Sequence, residues 1–476
     1  MPLWASSDPP AAAAAFQATL PEGAAPAVAA AAAPVTLPAP VSWTALLRRV
    51  LDLAAPTTLL ALIQTACQLV EPWLAARQGT AALAGWAVVL PFALLLQQMS
   101  AGAMGGGVVS AIARAVGGGR PAEASALVLH AVLIAAGFGL AFALLLAVFP
   151  RAVLGFVGGA EAAEAAAGYA AWMFGAGAVP AWLANTLASV LRGGGRHALA
   201  SRALLLAWLA FPPLAWALME PAGLGLTGSG MAFALVMAAA AGAQAVLVLR
   251  GAAGFVPDLR VRPRAALFGR ILSVGLVACA MAAVANLATI LVTARIASHG
   301  AAAVAAFGIS ARVEFLMVPL AFGVGSALTA LVGRAAGAGD WAAARRTAWT
   351  GGLLALALTG VVGLLVSLFP GPLAAAFARD PAVVAIATLA LGTIGPALPA
   401  FGLGMALYFA AMGAGRMLWP VAAGLSRIAL AVGGGWLLGT AMGGGLEGQF
   451  QAVALGIAAY GLVNAAAVRP GVWGPR

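Results

Sequence analysis

The amino-acid sequence predicts an all-α integral membrane protein with twelve transmembrane helices in two parallel six-helix bundles, a 6+6 pseudo-twofold repeat. Two observations carry this prediction. Hydrophobic residues make up 63% of the 476 residues and charged residues 8%, with a mean hydropathy of +1.04, which is more apolar side chain than a water-soluble core could bury. The same order of glycine and arginine motifs also occurs twice, about 220 residues apart.

Each predicted helix is an apolar stretch that can cross a bilayer, which needs about 20 helical residues. Abundant Ala and Leu with little alternation of polar and apolar residues argue against a β-barrel. Charges, turns and prolines mark the helix ends. The first half contains 48–76, 82–114, 121–150, 163–192, 197–218 and 226–250, and the second contains 266–297, 302–334, 341–369, 381–412, 417–439 and 448–469.

The repeat is clearest in the loops after the second and fourth helices of each half. GGGVVSAIARAVGGG at 105–119 matches GSALTALVGRAAGAG at 325–339, and VLRGGGR at 190–196 matches AAMGAGR at 410–416. Closer to the first helix the offset is 221, which predicts a one-residue length difference before Gly105. Six spans per half make the halves parallel, an arrangement in which a site between two bundles can be exposed to alternate sides of the membrane.

The arginines sort by side of the predicted membrane. Most of them, Arg192 and Arg427 included, fall on one face, and four fall on the other, namely Arg77, Arg151, Arg295 and Arg379. Arg312 lies well inside a span. The positive-inside rule then places both termini in the cytoplasm of a multi-pass plasma-membrane protein, which we expect in a bacterial inner membrane. The excess of arginines on the cytoplasmic side explains the net charge of +11, so this charge does not indicate a nucleic-acid partner.

Four segments follow from these boundaries. Residues 1–42 are rich in Ala and Pro and contain no Arg, so we expect a disordered cytosolic tail rather than a signal peptide. The others are an N-terminal six-helix bundle at 43–250, a cytoplasmic basic linker at 251–265 and a C-terminal six-helix bundle at 266–476.

Several function classes lack the residues they need. The glycine-rich loops have no Gly-Lys-Ser/Thr ending for a nucleotide, and the chain has no Lys. Cys67 and Cys279 sit at non-equivalent positions within spans, so neither a metal site nor a disulfide is indicated. We therefore expect no enzyme, catalytic residue, metal or cofactor. A channel or a structural membrane protein remains an alternative of another class.

Three segments resemble the MATE (multidrug and toxic compound extrusion) transporters. They are GISARVEFLMVPLAFGVGSALTALVGRAAGAGD at 308–340, APTTLLALIQTACQLVEPWLAARQGTAALAGW at 55–86 and YAAWMFGAGAVPAWLANTLASVLRGGGR at 169–196. The resemblance implies a cation-coupled antiporter, expected to be monomeric, that exports small amphipathic, often cationic, organic compounds and also contacts membrane lipid. A flippase for a lipid-linked sugar or other lipid is the nearest alternative, from a related branch of the family.

Glu71 is the predicted ion-coupling residue, with Gln64 and Gln68 on the same helix face at i, i+4, i+7 spacing. An acid within a span usually faces a cavity because a charge in the bilayer costs roughly 2.5–3.5 kcal/mol or more. The resemblance implies an Asp in this element, and Glu replaces it here. Exchange of H⁺ is expected over Na⁺, since further carboxylates of the family pattern are absent. The alternative is that the Glu71 side chain lies at the membrane surface and reaches the outer lipid headgroups beside Arg77.

The second half has no acid at the position of Glu71, which holds Val292 at an offset of 221 and Leu291 at 220. We therefore expect coupling in the first bundle. Arg312 and Glu314 are either cavity residues or partners of other spans, with Glu314 and Arg295 one such pair. The remaining predicted lining of a substrate cavity is Asn286, Thr289, Thr293, Trp86, Met173, Met317 and Tyr408.

Overall fold

The computed structural model describes residues 42–474, except for the side chains of residues 157 and 158. The predicted tail at 1–42 lies outside these residues apart from Ser42, whose hydroxyl accepts a hydrogen bond from the Ala45 amide at 3.3 Å and caps the first helix. Within the described residues all regular structure is helical. The predicted all-α fold is therefore confirmed.

Residues 42–474 contain twelve spans, when the bent pair of helices in the fourth is counted as one broken span. In chain order they are α1 (Trp43–Arg77), α2 (Thr80–Gly117), α3 (Pro121–Val148), α4 (Gly159–Ala176 and Ala178–Gly193, bent by 43°), α5 (His197–Met219), α6 (Gly225–Leu249), α7 (Ala265–Ala297), α8 (Ala301–Gly337), α9 (Trp341–Leu368), α10 (Pro381–Ala414), α11 (Leu418–Ala441) and α12 (Gly445–Ala467). Every predicted span is present. The largest difference is at α1, which begins at Trp43 rather than at residue 48.

The duplicated loops share backbone conformation as well as sequence. Gly119 and Gly339, which follow α2 and α8, have φ of 67° and 78°, and Gly195 and Gly415, which follow α4 and α10, have φ of 79° and 70°. An L residue with a side chain is strained in this left-handed region, so glycine ends a helix there at low cost. The matching glycines of the sequence are therefore matching helix ends.

The predicted one-residue difference lies in a π-helical turn of α2. The helix spans 38 residues and its repeat partner α8 spans 37. Residues Gln98–Ala103 of α2 form a π-helix, whereas α8 is a continuous α-helix. A π-turn accommodates an extra residue by widening one helical turn. The offset is consequently 221 before this turn and 220 after it.

The first helix of each bundle packs against both bundles. Val50 and Ala54 at the start of α1 belong to an apolar cluster of the second bundle, while Leu74 near its end belongs to the core of the first. The pattern is reciprocal in α7, where Ile271 packs with the first bundle and Ile296 with the second. Both bundles are thus joined at the end where α1 and α7 begin, which we call the basic face because the Gly-Arg loops lie there.

Helices α2 and α8 cross at the basic face with their backbones in contact. A Cβ built on Gly117 would overlap the carbonyl oxygen of Arg334, and a Cβ built on Gly337 would overlap that of Arg114. Nearby, the Ser110 hydroxyl donates to the Met412 carbonyl at 2.6 Å. We call this surface, formed by Ser110, Gly117, Arg114, Gly337, Arg334 and Met412, the seam.

Alanine at Gly117 or Gly337 is expected to destabilise the seam. The added Cβ must push the two helices apart, and overpacking of this kind costs about 1–3 kcal/mol. Gly137→Ala in α3 is the matched control, because a Cβ there meets no atom within 4 Å. Thermal unfolding of purified protein in detergent measures the difference. Equal melting temperatures for Gly337→Ala and Gly137→Ala would contradict close packing at the seam.

Candidate functional site

Glu71 lies in the half of α1 remote from the basic face, next to a proline. Pro56 and Pro72 both lie within the helix. Pro72 has no N–H to donate to the Gln68 carbonyl, so the helical hydrogen-bond ladder is interrupted beside Glu71. The Glu71 residue is 9% exposed. Its carboxyl group therefore enters the interior of the first bundle at a weakened point of the helix.

Two hydroxyl groups donate hydrogen bonds to the same carboxyl oxygen. The Tyr169 hydroxyl of α4 lies 2.7 Å from Oε1 of Glu71, and the Ser229 hydroxyl of α6 lies 2.5 Å from it. The indole of Trp86, on α2, lies beside the same carboxyl group. These four residues, the Glu71 site, come from four helices of one bundle, so the site belongs to the first half alone.

Small residues allow these helices to approach the site. A Cβ on Gly85 of α2 would come within 3.0 Å of the Ala166 amide nitrogen of α4. A Cβ on Gly230 of α6 would come within 2.6 Å of the Tyr169 carbonyl oxygen. Glycine at these two positions lets α2 and α6 pack directly on α4, as in other membrane helix pairs. The neighbours of Glu71 are thereby brought within hydrogen-bonding distance.

Arg77 does not neutralise Glu71. Its Nε lies 2.7 Å from Oε1 of Glu220, beyond the end of α5, and its guanidinium stacks 5.0 Å from the Trp73 ring. Hydrogen bonding to Arg77 holds the pKa of Glu220 below its usual range. The alternative that Glu71 is a surface acid beside Arg77 is therefore wrong, because Arg77 is paired elsewhere and Glu71 is buried.

Burial and hydrogen bonding act on the Glu71 carboxyl in opposite directions. Removal from water penalises the ionised form, whereas the two hydroxyl donors stabilise it. No salt bridge to Glu71 is present among residues 42–474. A carboxyl group under such opposed influences can change protonation when its surroundings change, which is the property that an ion-coupling site needs.

The other predicted polar residues of α1 and α7 are less organised. Gln64 and Gln68 are half-buried and make no side-chain hydrogen bond within the described part of the chain. Asn286 donates to Oε1 of Gln98 in the π-turn of α2 at 3.2 Å, which joins the two halves. Thr289 and Thr293 donate to carbonyl groups of their own helix.

The position equivalent to Glu71 is apolar and buried. Val292 is 4% exposed and packs in the core of the second bundle with Phe307, the equivalent of Trp86 at an offset of 221. Each bundle therefore places an aromatic residue near this position, but only the first bundle has a carboxyl group there.

Glu314 pairs with Arg427 of α11, so the predicted pairing with Arg295 is wrong. The assignment of Arg427 to the basic face is also wrong. Its guanidinium lies inside the second bundle, 5.4 Å from the Phe401 ring centroid, because Glu314 and aromatic faces compensate its charge there. Arg312 is exposed.

Two of the predicted cavity residues are packed in bundle cores. Met173 is 5% exposed in the first core and Met317 is fully buried in the second, so neither lines a cavity in this conformation. Both are surrounded by apolar side chains, where a flexible thioether fills space. Tyr408 differs, because it is half-buried and its ring lies 5.4 Å from Phe409, a residue that packs with the core of the first bundle.

Sequence reasoning missed Tyr169 and Ser229. Tyr169 is one of three tyrosines in the chain, and Ser229 falls in the duplicated GLTGSGMA motif opposite Gln449. A systematic comparison of polar residues between the halves finds Ser229 as a mismatch of the repeat. This mismatch does not indicate that the Ser229 hydroxyl faces Glu71, since 158 residues separate the two residues in the chain.

A sequence model of the MatE family matches residues 56–217 and 276–437, two copies that begin 220 residues apart. The chain belongs to the MatE family. A curated relative, the probable multidrug resistance protein NorM of Thermotoga maritima, is 38% identical over 96 residues, which cover 20% of this chain and 21% of that protein.

Solved transporters share the MatE fold of this chain. A transporter of the MOP superfamily from Pyrococcus furiosus, described by the reverse polarity of its binding pocket, superposes with a TM-score of 0.83 at 21% identity, over 89% of this chain and 95% of that one. The MATE transporter VcmN of Vibrio cholerae, in its bent form, gives 0.83 and 21% over 90% of this chain and 98% of that one. These likenesses establish the twelve-helix fold.

Infrared difference spectroscopy between acid and alkaline pH is expected to detect protonation of Glu71. The carboxyl C=O band should disappear in Glu71→Gln and move to higher frequency in Tyr169→Phe, because the carbonyl oxygen then accepts one hydrogen bond fewer. Tyr460→Phe is the control, since that ring packs against Phe401 in the second bundle. A band that Glu71→Gln leaves unchanged would show that Glu71 does not titrate.

Proposed function

We propose that this MatE-family protein is a secondary active antiporter that exports amphipathic, often cationic, organic compounds in exchange for H⁺. The observation that carries the proposal is the buried Glu71 carboxyl, which two hydroxyl groups contact and which forms no salt bridge with any cationic side chain of residues 42–474. Such a group can be neutral with a proton bound or ionised when a cationic substrate is near. Proton and substrate then compete for one charge.

The ligand set favours H⁺ over Na⁺. A hard cation prefers several oxygen ligands, with carboxylates among them. The Glu71 site offers one carboxylate and two hydroxyl groups that already donate to it. No group of three or more His, Cys, Asp or Glu side chains with metal-binding geometry occurs in residues 42–474. A proton needs only the single carboxyl group.

Helix α1 provides a physical link between the ion site and the seam. Its outer half holds Glu71 within the first bundle, and its beginning, at Val50 and Ala54, packs against the second. Pro56 weakens the helix next to the part that packs against the second bundle, and Pro72 weakens it next to Glu71. A change of charge on Glu71 can therefore shift α1 and alter the packing between bundles, so that the bundles rock apart at the basic face.

The basic face is proposed to be cytoplasmic, in a bacterial inner membrane. The arginine bias supports this orientation. With the seam closed, the conformation described here would open away from the cytoplasm. The multidrug resistance name of the Thermotoga maritima relative supports an exported organic compound as the substrate.

Proteoliposomes with independently imposed pH and Na⁺ gradients test this proposal. Efflux of ethidium should follow the pH gradient, fall by about tenfold or more in Glu71→Gln and persist in Glu220→Gln, which alters the exposed pair with Arg77. Glu71→Asp should be intermediate, because the shorter side chain cannot reach both hydroxyl groups.

Three results would contradict the antiporter. Undiminished exchange by Glu71→Gln would remove Glu71 from the mechanism, and dependence on Na⁺ alone would exclude proton coupling. Transport of a lipid-linked sugar in place of ethidium would favour the flippase, and gradient-independent leak would favour a channel.

A further inference from the structure

A pocket with three arginines opens on the basic face beside the start of α7. Its volume is about 430 Å³, within the range of sites that hold small molecules. Helix α2 and the start of α3 form its wall in the first bundle, and α7 and α8 form its wall in the second. Its polar lining, which defines what we call the arginine pocket, is Arg114, Arg120, Glu123, Arg270 and Ser273.

The arginine pocket carries more positive than negative charge. Nη1 of Arg120 lies 3.0 Å from Oε2 of Glu123, and Arg270 pairs with the other oxygen of the same carboxylate. Arg114 forms no salt bridge within residues 42–474, and its Nη2 lies 3.5 Å from the Arg270 carbonyl oxygen. The exposed Ser273 hydroxyl makes no hydrogen bond in that part of the chain. Three guanidinium groups share one carboxylate, which leaves two positive charges for an anion.

The equivalent place in the other half has acids where the arginine pocket has none. Both places keep two arginines, which are Arg114 and Arg270 here and Arg334 and Arg49 there. At the offset of 220, Arg120 corresponds to Asp340. At the offset of 221 that applies before the π-turn, Ser273 corresponds to Asp52. The halves therefore differ in the residues that would repel an anion, and only the arginine pocket lacks both of these acids.

The arginine pocket lies at the depth of lipid headgroups. Helix α7 has 33 residues and is about 50 Å long, whereas the hydrocarbon core of a bilayer is about 30 Å thick. A centred helix of this length extends about 10 Å beyond the core at each end. Ala266 and Ser273, the first and last residues of α7 in the pocket lining, fall within about the first 12 Å of the helix. Lipid phosphate groups occupy the same layer.

An apolar stripe on α7 continues from the arginine pocket into the membrane. Leu276, Ala280, Ala283 and Leu287 follow Ser273 at spacings of three and four residues, which places them on one helix face. All four are exposed. An acyl chain can lie along this stripe, whereas a free phosphate ion would make no use of it. The stripe therefore favours a lipid as the source of the anion.

We propose that the arginine pocket binds the phosphate of an anionic phospholipid, whose acyl chain lies along the apolar stripe of α7. Guanidinium groups donate parallel hydrogen bonds to phosphate oxygens, and the Ser273 hydroxyl can donate another. Basic pockets between transmembrane helices bind lipid headgroups through such contacts. Because the walls of the pocket come from both bundles, the bound lipid contacts α2 and α8 together and favours the conformation in which the seam is closed.

Thermal unfolding of delipidated full-length protein in detergent tests the site. Phosphatidylglycerol should raise the melting temperature saturably, and phosphatidylcholine, which has no net charge, should not. Ser273→Asp, which places the acid of the repeat position in the pocket, should weaken phosphatidylglycerol binding by about tenfold or more. Ser273→Asn, of nearly the same size as Ser273→Asp but uncharged, is the matched control and should retain binding.

The repeat supplies a second matched pair of variants. Arg270→Gln should weaken phosphatidylglycerol binding, whereas Arg49→Gln, at the equivalent and likewise exposed position, should not. Equal losses in these two variants would show a response of the whole basic face and would overturn the site. Equal responses of the wild type and Ser273→Asp, or no response in either, would overturn it as well. The melting curve of each variant without lipid confirms that it is folded.

Sodium phosphate, compared with sodium chloride at the same ionic strength, distinguishes the source of the phosphate. We expect no saturable response to sodium phosphate, because it lacks the acyl chain. A saturable response that Ser273→Asp abolishes would overturn the lipid assignment in favour of a soluble phosphate compound. An equal response of the wild type to phosphatidylcholine and phosphatidylglycerol would overturn the requirement for an anionic headgroup.

Discussion

The structure depends on backbone contact between α2 and α8, which occupy equivalent positions in the two halves of the repeat. Gly117 of α2 lies on the Arg334 carbonyl of α8, and Gly337 of α8 lies on the Arg114 carbonyl of α2. In a membrane the hydrophobic effect does not drive helices together, so close van der Waals packing of small residues must do so. Any side chain at these glycines would hold the bundles apart, which is why the most repeated motif of the chain is a glycine-rich one.

Glu71, Arg192 and the pair of Glu314 and Arg427 lie at positions where the two halves differ. Glu71 faces two hydroxyl groups while its equivalent Val292 is buried in apolar surroundings, and Arg192 is buried at a position where the second half has Met412. The pair of Glu314 and Arg427 lies in the second bundle. The packing that the halves share forms two similar bundles, and the charges that they do not share give each bundle a different interior.

Much of the architecture could be predicted from the sequence, because each span is a local property of consecutive residues. Hydropathy located every span, and glycines at the helix ends kept the repeat in register. The offset change from 221 to 220 even predicted an extra residue, which the π-turn Gln98–Ala103 contains. Burial was harder to predict. Met173 and Met317 are packed in cores, and Arg427, assigned to the basic face with the other arginines, lies inside the second bundle.

By itself, the sequence determined the membrane fold, the twelve spans, the duplication and the candidate acid Glu71, since hydropathy, periodicity and repeat register are all read along the chain. Only the tertiary structure decided what each charge faces. Tyr169 and Ser229 are 98 and 158 residues from Glu71, and Glu314 is 113 residues from Arg427. Such partners meet because separate helices pack in three dimensions, and no local pattern in the sequence encodes that meeting.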